Sequence, residues 1–229
     1  MSASDHEYFP EPSGSQRNQS EGTDFSAPLG SLKGGRLVFA SGAERLELTS
    51  SAAITDLYRA HFGYFAPRVW VKEGTITIRD RRFPSAGRPV NSAWRPAKIR
   101  LNGSIPWEIE FRRGVSHLTA DLAQLQLRSL DILGGAYQIQ LLLSEPSGSA
   151  FIYISGGIHQ GLIRVPPTTG VRVQISGGSS NLIFVDQHLG RVGSEASLES
   201  IGYAHARQRY DIRITGGSRD LTIERKVSS

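Results

Sequence analysis

Four glycine pairs divide the second half of this chain into units of similar length. The pairs are Gly134-Gly135, Gly156-Gly157, Gly177-Gly178 and Gly216-Gly217, and a weaker copy lies at Arg113-Gly114. From residue 113 onwards, the first members of these dipeptides are 21, 22, 21 and 39 residues apart, so one copy carries an insertion. A fixed period of this length is typical of stacked units that bury a shared core. The sequence therefore predicts a stack of repeats.

The residues on either side of each glycine pair alternate between apolar and polar, which indicates β-strands. Two residues before the pair stand Phe111, Ile132, Ile154, Ile175 and Ile214, and four before it stand Ile109, Leu130, Ile152, Val173 and Ile212. Both columns are predicted to face one core. A second alternating run follows each pair, so every rung contains two strands joined at a glycine bend. Glycine suits such a bend because it adopts positive φ without steric cost.

The first half of the chain carries weaker copies of the unit. Residues 36–48 fit the template well, residues 68–78 fit it with a tighter turn, and residues 98–103 fit it poorly. Residues 50–62 break the pattern, because their apolar side chains recur at helical spacing after a serine that can cap a first turn. We expect this helix and the loop of residues 79–96 to cover open strand edges, and residues 187–208 to form a second excursion.

The fold class that follows is all-β. We predict a stacked parallel β-solenoid of seven or eight rungs, each of about 21 residues, with one short helix. A β-sandwich is the alternative.

Composition divides the chain into an acidic tail and a basic body. Residues 1–32 hold five acidic residues against Arg17 alone and are rich in Ser, Gly, Pro and Gln, which predicts a disordered tail. Residues 33–229 are then a single β-solenoid domain, and this part carries the excess of basic residues behind the net charge of +5. The chain has no cysteine, so disulfides and thiolate metal sites are excluded. With no basic leader and no long apolar run, the expectation is a cytoplasmic protein without a membrane span.

The segment of residues 67–100 concentrates basic charge and contains tryptophan. Arginine beside exposed aromatic rings binds phosphate backbones and stacks bases, so this segment is a candidate site for nucleic acid or another polyanion. The candidate residues are Arg79, Arg81, Arg82, Arg88, Trp94, Arg95 and Arg100. The alternative, which is more common for such residues, is that the arginines line a solvated face and the rings pack within the fold.

A second candidate is a polar column that we call the polar ladder, defined as the residues three positions after the second glycine of each unit. Its members are His117, Gln138, Gln160, Asn181 and Asp220. Such a column could bind a ligand along the stack. More often, residues of this kind satisfy the backbone of a turn or face water.

Catalytic, metal and cofactor motifs are missing from the sequence. No Gly-Lys-Ser/Thr motif follows the glycine pairs, and the histidines lack metal-ligand spacing. Ser116 and His117 are adjacent on a predicted strand, so they point to opposite faces and do not form a triad with Asp121. We therefore predict a protein that is not an enzyme and has no cofactor. Its expected role is a non-catalytic scaffold or macromolecular interaction module with an unknown protein partner, and polyanion binding is the alternative.

The glycine motifs also support a family resemblance. Segments 152–157, 173–178 and 212–217 resemble bacterial β-solenoid domains grouped as "putative adhesins" and the C-terminal domain of LiaF-type envelope-stress proteins. Segments 56–62, 106–107 and 209–212 look like those of actinobacterial proteins with the same layout. The resemblance covers roughly residues 36–225. It implies a solenoid fold and carries no known activity.

Overall fold

The computed structural model describes residues 22–63, 66–80 and 97–226. In these ranges the chain forms strands and one short 3-10 helix, Tyr203–His205. The strands are β1 (Thr23–Pro28), β2 (Gly35–Phe39), β3 (Ala43–Ser51), β4 (Asp56–Phe62), β5 (Arg68–Lys72), β6 (Thr75–Arg79), β7 (Ala97–Asn102), β8 (Pro106–Phe111), β9 (Val115–Leu122), β10 (Gln126–Ile132), β11 (Ala136–Leu143), β12 (Ser149–Ile154), β13 (Ile158–Val165), β14 (Gly170–Ile175), β15 (Ser179–Phe184), β16 (Gln187–Val192), β17 (Ala196–Glu199), β18 (Arg209–Ile214) and β19 (Ser218–Arg225).

The strands form two sheets that enclose one hydrophobic core. The ten-stranded sheet has the order β1-β4-β7-β3-β9-β11-β13-β19-β15-β16, and the nine-stranded sheet has the order β17-β14-β18-β12-β10-β8-β2-β6-β5. Seven rungs place one strand in each sheet, and neighbouring rungs pair in parallel. The predicted all-β stacked solenoid is therefore confirmed.

The order of the rungs in space differs from their order in the chain. The last rung, β18/β19, lies between β12/β13 and β14/β15, because β18 pairs with both β12 and β14. At the opposite end, β2/β3 lies between β6/β7 and β8/β9. The terminal rungs of the stack are therefore β6/β7 and β14/β15, and neither is the first or the last rung in the sequence.

Antiparallel strands cover the outermost parallel strands. At one end β5 pairs with β6, and β4 followed by β1 extends from β7. At the other end β17 pairs with β14 and β16 pairs with β15, so the predicted excursion after residue 187 forms this cover. Such caps remove the open parallel edges on which another copy could add strands.

Three details of the sequence interpretation are wrong. The helix predicted over residues 50–62 is instead the end of β3 followed by β4, where Tyr58, Ala60 and Phe62 alternate inward and the strand pairs on both sides. Tertiary pairing overrides the weak helical spacing. Residues 68–78 form an antiparallel hairpin within one sheet rather than a rung.

The third correction concerns the predicted tail. Thr23–Pro28 form β1, which pairs with β4, so the boundary at residue 32 is too late. Residues 1–21 and most of the predicted covering loop, residues 81–96, lie outside the described residues.

The core is built from the columns that the glycine register predicts. Ile132 pairs with Ile154, Ile154 with Ile214, and Ile214 with Ile175, and all four side chains are buried. Each fully buried aliphatic side chain contributes roughly 1.5–3 kcal/mol to the hydrophobic stabilisation of the fold. This register fixes which residues face outward at the corners of the rungs.

The expected positive φ occurs at Gly157, Gly177 and Gly178, and close backbone packing is a second reason for glycine at these corners. An alanine Cβ at position 134 would lie 2.5 Å from the amide nitrogen of Gly114, and an alanine Cβ at position 156 would lie 2.4 Å from the amide nitrogen of Gly135. Neither Gly134 nor Gly156 has positive φ. Glycine is therefore required at these two positions because neighbouring rungs approach each other backbone to backbone.

Candidate functional site

The polar ladder forms one column, as predicted, and its backbone explains its composition. All five members have positive φ, between 51° and 58°. In each of their strands, β9, β11, β13, β15 and β19, this produces a bulge, with two consecutive residues facing outward before the inward alternation resumes. Polar residues such as Asn, Asp and His are enriched in this left-handed conformation, whereas β-branched residues are strained there. The conformation accounts for a polar column without requiring a ligand.

The bulge creates a second outward column, next to the ladder, that the sequence analysis missed. It contains the residue two positions after each second glycine, and strand pairing aligns its members side by side. In spatial order they are Ser116, Tyr137, His159, Arg219 and Ser180, and Arg191 of β16 continues the row.

This column borders an open groove of about 1140 Å³, which we call the corner groove. Three glycine pairs and Gly135 of a fourth line one part of it, so no side chains project from these positions. The other lining includes Tyr137, His159, Ser180, Arg191 and Arg219, and no acidic residue of the described chain is among the lining residues. The groove runs across the strands, along the axis of the stack. It is therefore an elongated depression with an exposed polar and aromatic border.

An aromatic cluster occupies one end of the corner groove. The ring of Tyr137 lies 5.6 Å from that of His117 and 5.4 Å from that of His159, and 39% of Tyr137 is exposed. His159 Nε2 lies 3.6 Å from Asp220 Oδ2, and Asn181 Nδ2 donates to Asp220 Oδ1 at 2.7 Å. The rings of His117 and His159 flank the phenol ring of Tyr137. Beside the groove, Asp220 contacts His159 and accepts a hydrogen bond from Asn181.

Two arginines occupy the other end. Arg219 and Arg191 lie on strands β19 and β16, on either side of Ser180 of β15. Both side chains are exposed, and neither forms an ion pair with any described residue. An arginine without an acidic partner retains donors for a bidentate contact with a carboxylate, sulfate or phosphate group.

The predicted polyanion residues do not come together within the part of the chain that the structure describes. Arg79 ends β6 in the nine-stranded sheet and Arg100 lies on β7 in the ten-stranded sheet. Both are exposed. The others, Arg81, Arg82, Arg88, Trp94 and Arg95, lie outside the described residues. Polyanion binding through this set stays a prediction.

The surface around Arg100 forms a second, smaller groove of about 510 Å³. Its cations largely have acidic partners. Lys98 lies 3.2 Å from Glu47, and Arg59 lies 2.6 Å from Asp56. These exposed pairs leave less unpaired positive charge than the corner groove has.

Three carboxylates of the nine-stranded sheet, Glu108, Glu110 and Asp131, lie on neighbouring strands, and Glu110 is ion-paired with Arg36 and Arg112. Burial works to raise the pKa of Glu110, but hydrogen bonds from Arg36 at 2.5 Å and Arg112 at 2.9 Å outweigh it and hold that pKa below its ordinary value. Burial raises the pKa of Asp131, and the charges of Glu110 and Glu108 add to this rise. The arrangement stabilises the charged form of Glu110 and disfavours the charged form of Asp131. No reactive carboxylate pair follows from it, because arginines bind Glu110 from two sides.

A further buried network fastens the excursion after β15 to the stack. Tyr203 donates its hydroxyl to Asp211 Oδ1 at 2.6 Å, and Arg172 contacts the same oxygen at 2.6 Å. Burial and the hydrogen bond to Asp211 raise the pKa of Tyr203 to about 12. Tyr203 is thus a neutral structural donor at physiological pH.

No group of three or more His, Asp or Glu side chains in the described residues is arranged to hold a metal ion. No helix in these ranges is long and apolar enough to cross a membrane.

Comparison with known proteins supports the fold. The family model for the N-terminal domain of toast_rack, DUF2154, matches residues 16–164, which is more than half of the chain. A crystal structure of a "putative cell adhesion protein" from Clostridium sporogenes is similar, with a TM-score of 0.67 and 18% identity over 90% of this chain and 100% of that one. A "putative adhesin" from Bacteroides fragilis aligns with a TM-score of 0.29 and 13% identity over 92% of this chain and 98% of that one. No curated protein sequence matches the chain.

Proposed function

Because the chain belongs to the family of the N-terminal domain of toast_rack, we propose that it is a non-catalytic interaction module, and that the corner groove binds its macromolecular partner. One solved structure of the same fold is described as a "putative cell adhesion protein", and this description motivates an interaction role. At 18% identity the likeness concerns the fold alone. The choice of the corner groove as the binding surface therefore rests on the shape and charge of the groove.

The single observation that carries the proposal is the combination of shape and unpaired charge in the corner groove. Its glycine corners leave an elongated depression, with Tyr137 exposed at one end and Arg191 and Arg219 at the other. Aromatic rings and arginines are the side chains that contribute most to binding at interfaces. By contrast, Glu110 of the nine-stranded sheet already has two arginine partners.

Site-specific photo-crosslinking tests this assignment. Tyr137 is replaced by benzoylphenylalanine in the full-length chain, and the cells that express it are irradiated. The matched control places the same residue at Phe151, which is 55% exposed on β12 of the opposite sheet. We expect a high-molecular-weight product from position 137 and none from position 151.

The remaining outcomes contradict the proposal in different ways. A product from position 151 alone would place the interaction on the other sheet, and no product from either would argue against a stable macromolecular partner. Treatment of the product with nuclease or with protease then identifies its class. Nucleic acid in the product from position 137 would mean that a polyanion binds at the corner groove rather than through the arginine-rich segment of residues 67–100.

A further inference from the structure

The corner groove also indicates the chemistry of its ligand, and this inference rests on the proposed function. We infer that the corner groove binds an acidic polysaccharide, with its carboxylate groups on Arg191 and Arg219 and a sugar ring against Tyr137.

Charge complementarity favours an anionic occupant. Two arginines without an acidic partner lie in the groove, and the lining residues that the structure describes include no carboxylate to oppose them. Ser180 lies between the two arginines in the strand register. A carboxylate there can accept from a guanidinium and from the hydroxyl together.

The spacing of the groups fits a chain molecule rather than a single ion. Arg219 and Arg191 are two strands apart, or about 10 Å at the usual spacing between strands. Tyr137 and Arg191 are four strands apart, or about 19 Å. A ligand that uses both ends must therefore span about 19 Å. An acidic polysaccharide can do so with several sugar units, and the separation of the two arginines allows each to bind a different carboxylate of the polymer.

The groove lacks the features by which an extended peptide is bound. A peptide that adds to a sheet needs a strand edge with free backbone groups. Here the strands cross the groove, so a peptide lying along it cannot pair with them: β11 to β15 are paired on both sides, and the free edge of β16 runs across the groove. The exposed phenol ring and the shallow glycine floor instead offer a flat surface for a sugar ring. Such polymers are found at cell surfaces, so the inference also implies a location other than the cytoplasmic one expected from the sequence.

The test uses the full-length chain and defined probes in calorimetric titrations. The acidic probe is a hexamer of galacturonic acid, and the controls are cellohexaose, which is neutral, and hexaglutamate, which is an acidic peptide. We expect binding of the galacturonate hexamer that weakens as salt rises, with binding of either control weaker by about tenfold or more.

Matched variants locate the site. The double variant Arg191→Gln/Arg219→Gln should lose about tenfold or more in affinity for the galacturonate hexamer, because two charge-assisted contacts are removed. Tyr137→Ala should also weaken binding. Arg128→Gln serves as the control, because Arg128 is exposed on the opposite sheet and forms no ion pair with a described residue; it should bind as the unmodified protein does. The replaced arginines are exposed, so circular dichroism should confirm an unchanged fold.

Three results would overturn the inference. They are no binding of the galacturonate hexamer, equal binding of hexaglutamate, or an equal loss of affinity in Arg128→Gln. If a crosslinked product still forms at position 137, such a result refutes the polysaccharide ligand and leaves the interaction module intact. If no product forms there, the proposed function fails on its own test.

Discussion

Replacing Gly156 by alanine should destabilise the fold far more than the same change at Gly135, although both belong to glycine pairs at neighbouring corners. An alanine Cβ at position 156 would lie 2.4 Å from the nitrogen of Gly135 and 2.5 Å from the carbonyl carbon of Gly134. These are backbone atoms, which cannot move aside as the end of a flexible side chain can. At position 135, the nearest atom is the oxygen of Gly156 at 3.5 Å, which is an ordinary contact.

The expected magnitudes follow from these distances. Forcing a methyl group into a closely packed site costs typically 1–3 kcal/mol, and a clash with backbone lies at the upper end, about 3 kcal/mol. Gly135→Ala has room and no positive φ, so it should leave stability unchanged or raise it by about 0.4–1 kcal/mol through the lower entropy of the unfolded chain. For a chain of this size 1 kcal/mol corresponds to roughly 2–4 °C in Tm, so the two variants should differ by about 6–16 °C.

Thermal unfolding followed by circular dichroism at 218 nm, roughly the β-sheet minimum, measures the difference, and urea unfolding provides the free energies. Gly216→Ala is a replicate, because its Cβ would lie 2.5 Å from the nitrogen of Gly157 in the neighbouring rung. Equal midpoints for Gly156→Ala and Gly135→Ala would refute the reasoning that rung-to-rung backbone contact selects the first glycine.

Three further changes probe other parts of the molecule. Asp131→Asn should raise the free energy of unfolding at pH 7 by up to about 1 kcal/mol, because the raised pKa means that folding disfavours the charged carboxylate. This gain should disappear below about pH 3, where the carboxyl is protonated in both states; a gain that persists there, in urea unfolding at each pH, would contradict the electrostatic cause. Tyr203→Phe removes the hydroxyl that donates to Asp211 and should cost about 1–2 kcal/mol in the same assay, while an unchanged midpoint would exclude this bond as a fastening of the excursion. Gln138→Val should destabilise by about 1–2 kcal/mol because φ is 51°, whereas Gln138→Gly should not, and equal effects of the two would reject backbone conformation as the reason for the polar ladder.

The repeat was readable from the sequence because one local rule fixes each rung. The glycine pair marks the corner, and strand alternation then sets which residues face inward. For this reason Ile132, Ile154, Ile175 and Ile214 could be assigned to one buried column, and strand pairing confirms the register. The polar ladder could be aligned for the same reason.

The order of the rungs could not be read in the same way. All rungs present similar aliphatic columns, so the preference of β18 for a place between β12 and β14 depends on side-chain fit between strands distant in sequence. The short apolar pattern of β4 fits the period of a helix as well as that of a strand, so the sequence alone predicts a helix there. Pairing with β1 and β7 makes it a strand.

The candidate site could be predicted only in part from the sequence. The ladder residues were found, but the bulge that turns two successive residues outward is a backbone property without a strong sequence signal. Arg219 and Tyr137 could have been found by reading the position just before each ladder residue. Arg191 could not, because β16 lies outside the repeat and reaches the groove only through its antiparallel pairing with β15.

The displaced last rung has a consequence for biosynthesis. Strands β12 and β14 never become neighbours, so after β14 leaves the ribosome both must wait with unpaired edges for β18, about 40 residues later, or several seconds at ordinary translation rates. A nascent chain that pairs them prematurely would have to open again before it could mature. Emergence of β18 and β19 is thus the event that completes the stack, and any truncation before residue 209 would leave a permanent gap between the terminal rung β14/β15 and the rest of the stack.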